Sequence, residues 1–241
     1  LHYELGRAFM ILGRLPEAKL SFEAARDLQP DFVGARLALA EIAMNQKRYA
    51  DARAECLSVI ENQSNLVALL VLGDAALAEN NLAEARRYYD RAAKDFPESS
   101  LPLRKRAQLF LNENKVDECA AELHKVVVAE KHSEGAVKLL ADVLSSKNRQ
   151  DEALAFLKGE LDNASEPAAI LIDMGNVEAS RKNYAKAREY YDRSLNRRSE
   201  NASAYLAKAQ TYLAERNVLR AVDEARQAIK TAPKWEEPYA F

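Results

Sequence analysis

The stretch NLAEARRYYDRAA at residues 81–93 decides the fold, because a near copy, NYAKAREYYDRSL, follows at residues 183–195. Eight of the thirteen letters are identical, and the two copies start 102 positions apart. Repetition at a fixed distance is typical of chains built from small structural units that bury their apolar faces against one another. The distance of 102 residues is three times 34, so the repeat itself is predicted to be 34 residues long.

Two series of small residues confirm this period within the sequence. The first series contains only Gly or Ala and advances in steps of 34, 33, 34, 34, 34 and 34: Gly6, Ala40, Gly73, Ala107, Ala141, Gly175 and Ala209. The second lies twelve residues later and contains Ala or Cys: Ala18, Ala52, Ala85, Cys119, Ala153, Ala187 and Ala221. With only 7 Gly and 7 Pro, and with many Ala, Leu, Glu, Arg and Lys residues, the composition favours helices. Small residues at these spacings would let helix backbones approach closely.

In these features the chain resembles the tetratricopeptide repeat family. The dipeptide Leu-Gly stands at 5–6 and 72–73, with Met-Gly at 174–175, and Glu-Ala or Lys-Ala precedes an aromatic residue in three of the second helices. Proline closes three of the units, at Pro30, Pro97 and Pro233. The resemblance implies an all-α fold, an α-solenoid in which about seven antiparallel helix pairs stack into a right-handed superhelix.

The same resemblance predicts where each repeat begins and ends. The predicted boundaries are 1–32 for a truncated first repeat, then 33–65, 66–99, 100–133, 134–167, 168–201 and 202–235, with 236–241 as the start of an eighth. Because the chain begins at Leu1 and ends within a helical pattern, we interpret it as a segment of a longer protein. Trp235, Tyr239 and Phe241 are predicted to form an exposed apolar end.

Three charged residues depart from the repeat pattern. Arg106 and Lys208 replace the leucine or methionine that precedes the small residue in five of the other repeats. We expect both side chains to be solvated or snorkelling, since long basic side chains can pack their stems on apolar surface and keep their charge in water. Glu178 stands where other repeats have Phe9, Phe110 or Tyr212, and it is expected to loosen the sixth repeat.

The resemblance implies that the first helices of the repeats line a concave groove where protein or peptide partners lie. Helical spacing selects the candidate contacts, which mix both charges with amides: Arg7, Glu41, Asp74, Arg104, Lys105, Gln108, Lys138, Asp142, Asp173, Asn176 and Gln210. A subclass of the family grips a peptide carboxylate with Lys, Asn and Arg. That pattern is absent here, because Asp142 and Asp173 replace the asparagines and Ser203 and Ala207 replace the final cations.

No catalytic, cofactor or metal site is predicted. The sequence contains no Gly-rich phosphate loop, no HExxH and no Gly-x-Ser-x-Gly. Cys119, His124 and His132 could suggest zinc, but Cys119 occupies a packing position and His132 falls in a turn. The formal charge of −2 disfavours nucleic acid as a partner, and no apolar run is long enough for membrane insertion.

The leading interpretation is a non-catalytic scaffold that binds a peptide, a helix or a partner domain in its groove. One alternative is a recognition or assembly arm of a larger machine, such as a bacterial polysaccharide-export or lipoprotein scaffold, or of an enzyme whose catalytic domain lies outside the segment. A second is a structural solenoid that self-associates through exposed repeat ends. The sequence assigns no compartment, and we expect a soluble segment, cytoplasmic or associated with the bacterial periplasm or outer membrane.

Overall fold

The computed structural model describes residues 1–162, 164 and 166–232, and among these it contains fourteen α-helices and no β-strand. The predicted all-α helical repeat fold is confirmed. Trp235, Tyr239 and Phe241 lie outside the described residues. The helices are α1 His2–Ile11, α2 Leu15–Leu28, α3 Val33–Asn45, α4 Tyr49–Asn62, α5 Leu66–Ala78, α6 Leu82–Asp95, α7 Leu101–Asn112, α8 Val116–Ala129, α9 Glu134–Ser146, α10 Gln150–Leu161, α11 Pro167–Ser180, α12 Tyr184–Arg197, α13 Ala202–Ala214 and α14 Val218–Thr231.

The chain divides into two compact units. The N-terminal unit, Leu1–Lys115, contains α1 to α7, and the C-terminal unit, Val116–Phe241, begins with α8. Within each unit, helices that are consecutive in the chain pack against one another as helical hairpins, and each hairpin packs on the next. The division falls between the two helices of the predicted repeat 100–133. The repeat boundaries and the superhelix stay predictions.

One turn geometry recurs inside every predicted repeat. In each, a residue in the left-handed region, with φ between 57° and 70°, ends the first helix: Gly13, Lys47, Asn80, Asn114, Asn148, Lys182 and Arg216. The following residue donates its backbone N–H to the carbonyl five residues earlier, as Asn81 does to Ala76 at 2.8 Å. This bond satisfies a carbonyl that the helix end leaves free. The 34-residue period is therefore a period of backbone conformation as well as of sequence.

Three glycines of the first small-residue series lie directly beneath an aromatic ring. A Cβ atom on Gly73 would lie 2.2 Å from Cε1 of Tyr89, and one on Gly175 would lie 2.3 Å from Cε1 of Tyr191. Gly6 and Phe22 make the third pair, and all three rings are buried. Repeats with alanine in this series have a smaller or aliphatic residue sixteen positions later, as with Ala40 and Cys56, Ala141 and Leu157. Glycine is thus required only where the facing side chain is aromatic.

The two similar stretches that lie 102 residues apart make the same pair of contacts with the helix that follows each of them. In the N-terminal unit, the guanidinium of Arg86 lies 4.8 Å from the ring centre of Phe110 and 2.7 Å from Glu113. In the C-terminal unit, Arg188 lies 4.4 Å from the ring centre of Tyr212 and 2.7 Å from Glu215. Each guanidinium therefore combines a cation–π contact with an ion pair. The sequence similarity therefore extends to the interface between the second helix of one repeat and the first helix of the next.

The prediction that Arg106 and Lys208 are solvated or snorkelling is wrong for Lys208, whereas the side chain of Arg106 is 26% exposed and pairs with a half-exposed aspartate. Arg106 pairs with Asp90 at 3.2 Å, and Lys208, with a side chain only 13% exposed, lies 2.8 Å from both Asp192 and Glu224. Both cations lie on the first helix of a predicted repeat, 102 residues apart, and reach an acid on the second helix before it; Lys208 also reaches Glu224 on α14, which follows it. They replace an apolar contact with an ionic one at the same interface.

Glu178 is also placed differently from expectation. Its side chain is fully buried, accepts a hydrogen bond from Asn183 at 2.9 Å and lies 2.7 Å from the ammonium group of Lys186. Burial acts to raise the pKa of Glu178, but the hydrogen bonds from Lys186 and Asn183 outweigh it and lower the pKa. The carboxylate links α11 to the start of α12 within its hairpin, so the structure gives no support to the expected loosening.

Candidate functional site

Every predicted contact residue lies on an odd-numbered helix, the first helix of its predicted repeat, where the spacing argument placed it. In the N-terminal unit these are Arg7 on α1, Glu41 on α3, Asp74 on α5, and Arg104, Lys105 and Gln108 on α7. In the C-terminal unit they are Lys138 and Asp142 on α9, Asp173 and Asn176 on α11, and Gln210 on α13.

The C-terminal unit holds a cavity of about 620 Å³ that is lined mainly by α9, α11 and α13. Four predicted contact residues line it: Lys138, Asp173, Asn176 and Gln210. Its floor consists of small and apolar side chains, including Ala168, Leu206 and Ala207, which are buried. Its other polar lining residues are more exposed than Asp173: Glu134, Lys138, Glu166, Asn176, Arg198, Asn201, Ser203 and Gln210. A volume of this size accommodates a few residues of a bound chain.

Asp173 is the buried charge of this cavity. It is 6% exposed, and in the described part of the chain its carboxylate accepts no hydrogen bond. The ammonium group of Lys138 lies 4.0 Å from Asp173 but 2.6 Å from Asp142, which holds it. Burial raises the pKa of Asp173 to about 7, and Asp142 and Glu134 add to the rise while Lys138 opposes it.

Asn176 is held in place from below by Tyr191. The hydroxyl of Tyr191 donates a hydrogen bond of 2.9 Å to Oδ1 of Asn176, and the ring reaches it by passing beneath Gly175. With Oδ1 engaged in this way, the amide N–H groups of Asn176 are available to a ligand in the cavity. Sequence reasoning gave Tyr191 only a packing role. The presence of tyrosine rather than phenylalanine at this position was the one sign in the sequence that the ring would also make a hydrogen bond.

The corresponding tyrosine of the N-terminal unit also supports a predicted contact residue. Tyr89 donates a hydrogen bond of 2.7 Å to Oδ1 of Asp74, and the ammonium group of Lys105 lies 2.6 Å from Oδ2 of the same carboxylate. Of the basic residues 104–106, Lys105 and Arg106 are therefore paired with acids. This stretch does not present an uncompensated positive surface.

A second cavity of about 380 Å³ lies in the N-terminal unit and is more apolar. Tyr3, Leu37, Met44, Val67 and Val71 line it, together with Glu41 and Asp74 from the predicted set. The remaining predicted residues of this unit do not line it. Arg7 is exposed and pairs with Glu4 at 3.3 Å, and Gln108 donates a hydrogen bond of 3.0 Å to Asn112.

Neither cysteine has the environment of a reactive thiol. Cys56 and Cys119 are buried, and burial raises the pKa of Cys56 to about 12 and raises that of Cys119 as well. Across the residues that the structure describes, no three His, Cys, Asp or Glu side chains form a group that could hold a metal ion. None of the described helices is both long and apolar enough to cross a membrane.

Comparison with known proteins identifies the repeat. The family model described as tetratricopeptide repeat matches residues 3–67, 70–123 and 172–234, whereas no curated protein matches the chain. Among solved structures, the C-terminal part of a repeat protein from Cytophaga hutchinsonii has a TM-score of 0.64 at 11% identity and covers 99% of this chain and 98% of its own. A repeat protein from Parabacteroides merdae has a TM-score of 0.60 at 16% identity, with coverages of 99% and 95%.

Yeast Tom70 is similar over part of its length. Its TM-score is 0.60 at 19% identity, and the match covers 94% of this chain but 48% of Tom70. The chain therefore spans about half the length of that protein. At these identities the solved structures show the fold alone.

Proposed function

The chain belongs to the tetratricopeptide repeat family, whose members generally act as non-catalytic protein-interaction scaffolds, and on that premise we propose that its C-terminal unit binds a peptide segment of a partner protein. The peptide lies across α9, α11 and α13, in the cavity of about 620 Å³. One observation supports this role above the others: the cavity has a small, apolar floor and exposed amide side chains, Asn176 and Gln210, at its edge.

The polar groups of the cavity suit a peptide backbone. Each residue of an extended peptide offers one N–H and one carbonyl, and an amide side chain can pair with either. Asn176 is held by Tyr191, so less conformational entropy is lost when it binds. Gln210 lies on the neighbouring helix α13 and extends the row of amides along the cavity.

The arrangement favours binding over catalysis. A carboxylate that acts as a general base needs a nucleophile or a proton donor within hydrogen-bonding distance. Asp173 has the raised pKa of such a base, but within the described residues no hydroxyl, thiol or imidazole lies that close to it. The lining contains neither His nor Cys.

Replacing Asn176 or Gln210 by alanine will weaken peptide binding by about 2- to 10-fold each, since each change removes one hydrogen-bonding side chain from the cavity. Peptides would be selected from a random display library on the intact chain, and their affinities measured by fluorescence anisotropy. Gln227→Ala, on the exposed side of α14, is the matched control and should leave affinity unchanged. Selected peptides that bind N176A and Q210A as tightly as the native chain would disprove this location, and so would a failure to select any peptide.

Exposed apolar side chains in the N-terminal unit favour a second candidate, self-association. Leu12, Leu20 and Leu28 are each at least 66% exposed on or beside α1 and α2. Exposed apolar side chains that lie on one helical hairpin are typical of a surface that another element covers. A light-scattering mass that stays monomeric at every concentration would remove this candidate.

A further inference from the structure

The carboxylate of Asp173 is the most deeply buried charge among the residues that line the cavity. Asp173 lines the cavity and is only 6% exposed, and its carboxylate accepts no hydrogen bond from the described residues. Taking a carboxylate out of water without hydrogen-bond donors is costly. A ligand that brings donors and a positive charge to Asp173 would remove that cost.

The nearest cation does not meet this need. The ammonium group of Lys138 is held by Asp142 at 2.6 Å and stands 4.0 Å from Asp173, beyond hydrogen-bonding distance. Glu134 and Glu166 add two further acids to the lining, against one further base, Arg198. With Asp142 included, four acids face two bases around the cavity, so a cation is attracted and an anion is repelled.

The floor of the cavity suits an aliphatic chain. Ala168, Leu206 and Ala207 are buried there, and Ile172 lies one residue before Asp173 on the same helix. Lysine and arginine carry a long apolar stem that packs on such a surface while the charged head reaches a polar partner. The floor and the single buried carboxylate together match that two-part chemistry.

We propose that this cavity is a receptor for a basic residue of the bound peptide, with the lysine or arginine head hydrogen-bonded to Asp173 and its stem on the apolar floor. The inference rests on the proposed peptide-binding function and adds the class of residue that the groove selects. It reverses the charge of a carboxylate-binding groove, because Asp142 and Asp173 stand on adjacent first helices where such a groove would have amides.

Binding of the basic residue will depend on pH. The pKa of Asp173 is raised to about 7 by burial, and the groups that face it are Lys138, Asp142 and Glu134 from α9, with Tyr191 from α12. Below that pH the carboxyl is protonated and attracts a cation weakly, whereas above it the carboxylate is charged. Affinity for a basic probe therefore rises between about pH 6 and about pH 8.

The test uses three probes that share one scaffold: the Nα-acetyl methylamides of lysine, arginine and norleucine. Each is titrated into the ¹⁵N-labelled intact chain, and amide chemical shifts are followed. The lysine and arginine probes should produce saturable shifts in α9, α11 and α13, while norleucine, which has the stem without the charge, should produce much weaker ones. Asp173→Asn should weaken lysine binding by at least about tenfold, because a hydrogen bond to a charged group is lost.

Asp223→Asn is the matched control, since Asp223 is an exposed carboxylate on α14 of the same unit, away from the cavity. D173N removes a buried charge, so its Tm at about pH 8 should be no lower than that of the native chain, which separates lost binding from lost folding. Norleucine binding as strong as lysine, lysine binding unchanged in D173N, or no saturable shift with lysine would each overturn the inference. The peptide-binding function would still stand if selected peptides require Asn176 and Gln210, and it fails independently if they do not.

Discussion

Replacing Gly73 by alanine will lower the free energy of unfolding by about 1–3 kcal/mol, because the new methyl group has no space beneath Tyr89. Its Cβ would lie 2.2 Å from Cε1 of that ring, and the ring is fully buried. The ring cannot easily move aside, since its hydroxyl is bonded to Asp74 at 2.7 Å. Urea denaturation followed by circular dichroism measures the change. Gly175→Ala should behave alike, with 2.3 Å between its Cβ and Tyr191.

Two further variants isolate this clash from the ordinary effect of glycine in a helix. Gly159→Ala adds a methyl group in helix α10 where, apart from the local backbone of the helix, no atom lies within 4 Å, so it should stabilise the protein by about 0.5–1 kcal/mol. Tyr89→Leu in the G73A background recreates the combination of Ala141 with Leu157 that occurs in the same chain. In that background, G73A should no longer lower the free energy of unfolding relative to Y89L alone. A G73A cost that persists there would show that the ring is not its cause.

Replacing Lys208 by methionine will lower the free energy of unfolding by about 1.5–3 kcal/mol, because two carboxylates lose a charged hydrogen-bond partner. The Lys208 side chain is 13% exposed and lies 2.8 Å from both Asp192 and Glu224, whose side chain is 17% exposed. Lys230→Met on α14 removes an exposed cation and should change stability by less than about 0.5 kcal/mol. Equal losses in the two variants would contradict a specific role for the buried pair.

The pH dependence of this contribution follows from the pKa of Lys208. Burial acts to lower it, but the hydrogen bonds from Lys208 to Asp192 and Glu224 outweigh burial and raise the pKa above its ordinary value. A raised pKa in the folded state means that the stabilisation is present below about pH 10.4, the unfolded value. It is lost as the pH rises through the folded pKa. The difference in stability between K208M and the native chain should therefore shrink in strong alkali.

The fold could be predicted from the sequence because the repeat is encoded in residue size. Gly or Ala at every 34th position and Ala or Cys twelve residues later leave little freedom in how the helices pack. The sequence also shows that glycine occurs where an aromatic residue follows sixteen positions later, as with Gly73 and Tyr89. The physical basis of this pattern becomes apparent only when the ring and the missing Cβ are seen to occupy the same space.

The candidate site could be predicted in position but not in chemistry. Helical spacing placed Asp173 and Asn176 on the first helix of their hairpin, and both line the cavity. Spacing does not reveal that Asp173 is buried without a hydrogen bond, since that depends on Lys138 turning to Asp142. The ion pairs of Lys208 could not be predicted for a similar reason. Its partners lie sixteen residues before and after it in the chain, and only helix packing brings both of them close.

The most direct test is amide hydrogen exchange of the intact chain with a selected peptide bound. It asks whether the C-terminal unit is a peptide-binding groove, which is the central claim. Upon binding, we predict slower amide exchange in α9, α11 and α13, with no change in α10 and α14. At a peptide concentration near the Kd of the native chain, the same protection should be weaker in N176A and unchanged in Q227A. Protection confined to the second helices, or to the N-terminal unit, would contradict the claim.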